Sequence, residues 1–376
     1  MRITPIAIGE VQAACHGPWC EPDAHQRVGG VFPRTARAAF LLAVLWSAAP
    51  AFAVNYAWVG GISDIWSTSG NWDGGDLNPP GPPGSSDTAT IGSQALRPDV
   101  QLDIDTPQIN GLTMTSGVTL STNGHRLFVN DGVNSALTSL SGAGTTLIID
   151  SGPLAFDVDT DLLTIGSGAT VDMAGGDMQV DSGPLTIGSG GILSGYGSVH
   201  VDQSVASSTA LLVNNGLLRS SRPDLSPTTS HYELAIQSSD ADARLDLDGS
   251  SGNGQVSLDF NTTLNLDVPI LEPFSDLVTL NQASVLDVAS NWSADSLSTF
   301  EIDADQIVQV GSAAPRSATI RGGDLTASGV IHVDSGTAVF EADLHATSSA
   351  SITVDSDARI RFDGDAVIDS GAAFTL

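Results

Sequence analysis

The chain has 376 residues and a formal net charge of −30, set by 43 acidic residues against 13 basic ones, and every basic residue is arginine. Nucleic acid and anionic membrane surfaces are thereby excluded as partners, because both are held by clustered positive charge. Aromatic residues make up 5% of the chain and hydrophobic residues 41%, with 40 glycines, a balance that suits a narrow core of Val, Ile, Leu and Ala over a bulky globular one. The two cysteines, Cys15 and Cys20, stand near the start, so the rest of the chain has no disulfide framework, cysteine metal site or thiol chemistry.

Residues 1–53 read as a leader. From Arg34 the sequence runs RTARAAFLLAVLWSAAPAFA, with Arg34 and Arg37 ahead of an apolar run over 38–46 and then Ala51-Phe52-Ala53. Charge, apolar stretch and small-x-small site in that order make a secretory signal with its core at 34–53, cleaved after Ala53. The apolar run is shorter than the roughly 20 residues a bilayer requires, so no membrane span is expected in the mature chain. The expected location is secreted or at the cell surface. Glu10, Glu21 and Asp23 are foreign to such a leader and suggest that translation starts later, at Val28 or Val31.

Residues 54–98 differ in character from the rest of the mature chain. They hold Trp58-Val59-Gly60-Gly61, Trp66, Asn71-Trp72, a proline-rich turn over 78–84, and Asp87-Thr88-Ala89-Thr90-Ile91. The three tryptophans are read as the core of a small cap that covers the open strand edge of a first rung. An aromatic sugar-binding platform is the sharper alternative.

From Asp99 to the end, short apolar alternations are broken by Gly, Ser, Asn and Asp, as in Val100-Gln101-Leu102-Asp103-Ile104, Ala169-Thr170-Val171-Asp172-Met173 and Ser351-Ile352-Thr353-Val354. Alternation with period two marks strands with one buried face, and no long stretch has helical periodicity, so the chain is all-β. The strands repeat. Leu163 to Gly168 (LTIGSG) returns as Leu185 to Gly190, Asp150-Ser151-Gly152-Pro153-Leu154 returns as Asp181-Ser182-Gly183-Pro184-Leu185, and Val333-Asp334-Ser335 is followed by Val354-Asp355-Ser356 and Ile368-Asp369-Ser370. Such periods predict a β-solenoid over 99–376 with rungs of about 20 residues. Small branched side chains fill its interior, and Ser-Gly and Asp-Gly form its corners.

Leu163-Thr164-Ile165-Gly166-Ser167-Gly168-Ala169-Thr170-Val171, Gly191-Ile192-Leu193-Ser194-Gly195-Tyr196-Gly197-Ser198-Val199 and Asn215-Gly216-Leu217-Leu218 resemble the repeats of bacterial autotransporter-type β-helix proteins. The segment from Trp58 to Trp72 resembles the opening of large exported proteins with such repeats, including those with PEP-CTERM sorting tails. The resemblance implies a right-handed parallel β-helix at the cell surface, often without enzymatic activity. It also implies an anchoring part that does not follow Ala373-Phe374-Thr375-Leu376, so the solenoid is expected to be incomplete at its C-terminus.

Motifs that carry chemistry are scarce. There is no G-x-S-x-G, no H-E-x-x-H and no P-loop. Two acidic rows, Asp157, Asp159 and Asp161, and Asp242, Arg244, Asp246 and Asp248, have the alternation that puts carboxylates on one strand face, where they would serve a polysaccharide lyase or hydrolase. A solvated outer face explains them more simply. Calcium is compatible with these rows but has no assignable ligand set: Asp246-Leu247-Asp248-Gly249-Ser250-Ser251 opens like an EF-hand loop yet lacks its later ligands, and Gly175-Gly176-Asp177 is a lone fragment of a calcium repeat. His125, His200, His231, His332 and His345 are scattered and read as surface or turn residues. The expected function is that of a non-enzymatic structural or adhesin-like surface protein whose partners are extracellular glycans or other envelope proteins. The rival is a β-helix polysaccharide lyase or hydrolase acting on extracellular glycans.

Overall fold

The computed structural model describes residues 53–376 apart from 77, 131–134, 203–210, 223–230, 241–242, 248–253, 272, 276 and 305–316. The leader lies outside the described residues. Among those described, strands dominate, and the one helical element is a three-residue 3-10 turn at Ser69–Asn71.

The chain winds as a β-solenoid with three faces. One turn of it runs through Leu185–Ile187 on the first face and then through Ile192–Val201, which bends midway and covers the second and third. Leu212–Asn214 then returns to the first face. Each face grows by parallel pairing with the previous turn: Leu185 with Leu212, Ile192 with Leu217, and Gly197 with Leu234. The first face is a nine-stranded sheet, continued by the bridges Leu245 to Ile270 and Phe274 to Ala294 into a four-stranded sheet. The other two faces merge into one sheet of 20 strands, because Ala169–Val180 and Ile192–Val201 cross the corner between them without a break.

Alternation explains the core. Ile91, Met114, Leu140, Ile165 and Ile187 occupy one register position on successive turns and are all fully buried. Strands about 4.8 Å apart leave room for one such side chain per turn, while the backbone N–H and C=O groups are consumed by the neighbouring turns. Asn214 continues this ladder in place of an aliphatic residue. Its Nδ2 donates to the carbonyls of Leu247 at 3.0 Å and Gln255 at 3.1 Å, and its Oδ1 accepts from the Gly216 amide, so this buried amide is satisfied.

The registers show which repeats are rungs. Leu163, Thr164 and Ile165 pair with Leu185, Thr186 and Ile187, so the two LTIGSG copies stack directly. Their closing glycines, Gly168 and Gly190, take φ of +75° and +74°, the left-handed conformation that turns the chain onto the second face at little cost only for glycine. Val333 likewise stacks on Val354. Ile368 belongs to another face, where it extends Ala346, and Asp181 follows Val180 on the turn above Thr160, not above Asp150. Turn length also varies more than a 20-residue period implies. Thr170 to Ile192 is one turn and Ile192 to Leu217 the next, whereas Leu217 to Gln255 spans a much longer one. Faces fix the strand lengths, and the corners absorb the insertions.

At the N-terminal end, Asn55–Trp58 pairs in parallel with Thr88–Ile91 and antiparallel with Trp72–Asp73, the one antiparallel strand pairing described. Thr88–Ile91 pairs in turn with Gly111–Thr115, so the stacking runs through residues 98 and 99. Trp58, Trp66 and Trp72 are buried, Trp66 completely, with Trp72 edge-on to Trp58 at 5.0 Å and to Trp66 at 4.6 Å. Trp72 Nε1 donates to the Trp66 carbonyl at 2.7 Å and Trp58 Nε1 to the Arg97 carbonyl at 2.8 Å. The rings form a core and offer no exposed platform. Trp72→Ala is expected to lower unfolding free energy by about 3–5 kcal/mol, whereas Leu96→Ala, at an exposed position, should stay within about 0.5 kcal/mol. Chemical denaturation followed by circular dichroism checks both; equal losses would contradict this packing.

Candidate functional site

The first acidic row does not form a solvated face. Asp159 lies within the short strand Val158–Thr160 on the third face, Asp157 and Asp161 flank it, and all three are buried. Asp161 sits just past the strand end and is fully engaged, accepting from Asn130 Nδ2 at 2.8 Å and from the Ala136 amide at 3.1 Å. Asp157 Oδ2 accepts from the Asp177 amide at 2.9 Å. Burial, countered by this hydrogen bond and reinforced by the charge of Asp177, raises the Asp157 pKa above the ordinary carboxylate value.

Asp159 is the chemically distinctive member. It lies in register between Phe128 and Gln179, and its Oδ2 pairs with Arg126 Nη2. The Arg126 guanidinium sits 4.3 Å from the Phe128 ring centroid. Asp159 Oδ1 has no N–H partner among the described residues and faces Asp181. Desolvation, and then the charge of Asp159, push the Asp181 carboxyl up to about 6. A protonated Asp181 can donate to the Asp159 carboxylate, which an ionised one cannot.

A carboxyl of raised pKa next to a carboxylate that pairs with an arginine is an arrangement that general acid–base chemistry uses. Asp159 is only 6% exposed, whereas Asp181 on the neighbouring turn is half-buried.

Of the second row, Asp242 and Asp248 lie outside the described residues. Leu245–Asp246 is a strand of the first face in register with Leu212 and Val213, and Arg244 Nη1 donates to the Ala243 carbonyl. The EF-hand-like run is described only through Leu247. Gly175-Gly176-Asp177 lies within the bend of the long strand Ala169–Val180.

The histidines are dispersed, as their sequence positions imply. His200 stacks edge-on against Phe156 at 5.3 Å. His231 contacts Asn261 and Thr263, His125 lies 3.5 Å from Asp105, and His345 lies 3.2 Å from Asp369. His332 alone stands between carboxylates of two other turns, Glu301 and Asp355. A shallow cavity of about 370 Å³ runs along the four-stranded sheet past Asn291, Asp324, Asp343, His345 and Asp365. No helix among the described residues is long and apolar enough to cross a membrane.

No protein-family model, curated protein or solved structure matches the chain.

Proposed function

We propose that the chain is an exported, non-enzymatic scaffold of the cell surface, adhesin-like in presenting a long lateral face to extracellular glycans or other envelope proteins. The observation that carries this reading is the burial of Asp157, Asp159 and Asp161, the best-placed catalytic candidates, as internal braces of a solenoid that stacks from Asn55 to Thr375. The leader sequence and the resemblance to exported β-repeat proteins support the location. The acidic exterior supplies solubility and repels other anionic surfaces.

The rival, a β-helix polysaccharide lyase or hydrolase, draws on one observation, the Asp181 carboxyl of raised pKa next to Asp159, which pairs with Arg126. A panel of uronate-containing and neutral polysaccharides, incubated with the full chain with and without calcium, separates the two. The scaffold reading expects no bond cleavage. Reproducible cleavage abolished by Asp159→Asn or Asp181→Asn would overturn it. Export has its own test: N-terminal sequencing of protein recovered outside the cytoplasm should begin at Val54, and an uncleaved chain would contradict the leader assignment.

A further inference from the structure

Three consecutive strands of the second face, Thr299–Asp303, Val330–Ser335 and Ser351–Val354, bring together side chains far apart in sequence. Glu301, His332 and Thr353 form one outward column, and Val333 stacks on Val354, so that Asp334 and Asp355 follow on neighbouring turns. The register shifts after Ile302, where Asp303 pairs with Ser335, which leaves Asp334 out of the ladder. His332 Nδ1 lies 2.9 Å from Glu301 Oε1, and its Nε2 lies 3.4 Å from Asp355 Oδ1. One ligand atom from each of His332, Asp334 and Asp355 lies within 4.8 Å of the other two.

Two features of this cluster suit a metal ion. Each ring nitrogen of His332 faces a carboxylate oxygen, Nδ1 that of Glu301 and Nε2 that of Asp355, so a metal ion on Nε2 would take the place of the proton that links it to Asp355. Asp334 and Asp355, like charges on adjacent strands, oppose each other, and among the described residues no arginine forms an ion pair with either. The donors point to a particular class of ion. One imidazole nitrogen and two carboxylates, with water completing the shell, suit zinc and its first-row neighbours, whereas calcium takes six to eight oxygens. A carboxylate on the far ring nitrogen is also how metal-bound histidines are usually oriented. Asp355 and His332 are partly exposed, so the small contraction to bonding distance is open to them.

We propose that His332, Asp334 and Asp355 bind a divalent transition-metal ion, with Glu301 positioning the imidazole. The inference stands on the geometry of these turns and does not depend on the scaffold reading. The test uses the full chain with Cys15→Ser and Cys20→Ser, which removes thiol ligands, stripped with chelator and titrated with zinc chloride by calorimetry and with cobalt chloride by visible absorption. The expected result is one saturable zinc site. His332→Gln and Asp355→Asn should each weaken it by more than about 100-fold and Glu301→Gln by about 10-fold to 100-fold. His345→Gln, beside Asp369 on another face, should leave affinity unchanged, and the cobalt d–d band should disappear in His332→Gln. Retained strand circular dichroism shows that each variant is folded. Absence of saturable zinc binding, equal affinity in the folded His332→Gln and Asp355→Asn variants, or tighter binding of calcium than of zinc would overturn the proposal.

Discussion

Unfolding free energy is expected to fall as the pH rises from about 4 through about 6, steepest midway between the ordinary carboxyl value of 3.8 and the value of about 6 at which the folded Asp181 gives up its proton. In the unfolded chain Asp181 ionises near its ordinary 3.8, whereas in the fold it keeps its proton to about 6. Between those values the folded state binds more protons than the unfolded one, so stability falls with rising pH. The contribution is fully present below the unfolded value and lost as the pH passes through the folded one. A shift of this size corresponds to about 3 kcal/mol of linkage, which solvent screening of a partly exposed group reduces to the order of 1–2 kcal/mol. Asp157 and Asp172, each raised mainly by burial, add to it with the same sign.

Asp181→Asn separates this step from the general repulsion among carboxylates. Its amide donates to Asp159 Oδ1 at every pH, so the variant should be more stable than the parent at pH 8 and should lose most of the slope. Asp357→Asn, at an exposed turn, is the control for surface charge, and its effect on stability should be small and shrink with salt. Denaturant titrations at a series of pH values measure all three proteins. A parent whose stability rises through this window, or an Asp181→Asn variant with the parent slope, would refute the raised Asp181 pKa.

Gly195→Ala is expected to be among the most damaging small substitutions in the solenoid, costing at least about 3 kcal/mol. Gly195 has φ of +116° at the bend of Ile192–Val201, and a Cβ there would lie 2.1 Å from the Met173 carbonyl oxygen on the preceding turn. That atom is backbone, held in the ladder through the pairing of Met173 with Gly195, so relief requires the two turns to separate. Gly117 provides the comparison. It also has positive φ, +76°, but nothing lies within 4 Å of where its Cβ would be, so Gly117→Ala should cost only about 1 kcal/mol. Urea melts of the two variants decide the point: similar losses would mean that the turns are not in the close contact described.

The solenoid is legible in the sequence because its stacking depends on local, repeated patterns. Period-two alternation marks the buried positions, and the LTIGSG copies carry both a strand of the first face and the glycine corner after it, so they fall in register at Leu163 and Leu185. Asp150-Ser151-Gly152 and Asp181-Ser182-Gly183 mislead for a physical reason: they recur because different corners need the same turn chemistry, and similarity there reports a corner, not a turn of the solenoid. The acidic row shows the opposite limit. Alternation puts Asp157 and Asp159 on one side of a strand, but their covering comes from Arg126, Phe128, Asp177 and Asp181 on neighbouring turns, and no local pattern reports it. His332 is similarly silent in sequence, since its partners Glu301 and Asp355 come from the turns on either side. The return of Val333-Asp334-Ser335 as Val354-Asp355-Ser356 is the one sequence signal that Asp334 and Asp355 meet.

The stacked-turn architecture rests on the parallel register of consecutive turns, and cysteine cross-linking tests it directly. In a Cys15→Ser, Cys20→Ser chain, Thr164→Cys and Thr186→Cys place two outward-facing thiols at paired positions. Adjacent strands about 4.8 Å apart fall within the Cα separation a disulfide accepts. Mild oxidation should close this bond rapidly within one chain, while Ser151→Cys with Ser182→Cys, equivalent in the sequence repeat but on different corners, should stay reduced. Ready closure of the Ser151 and Ser182 pair with no bond between positions 164 and 186 would contradict the parallel stacking of turns.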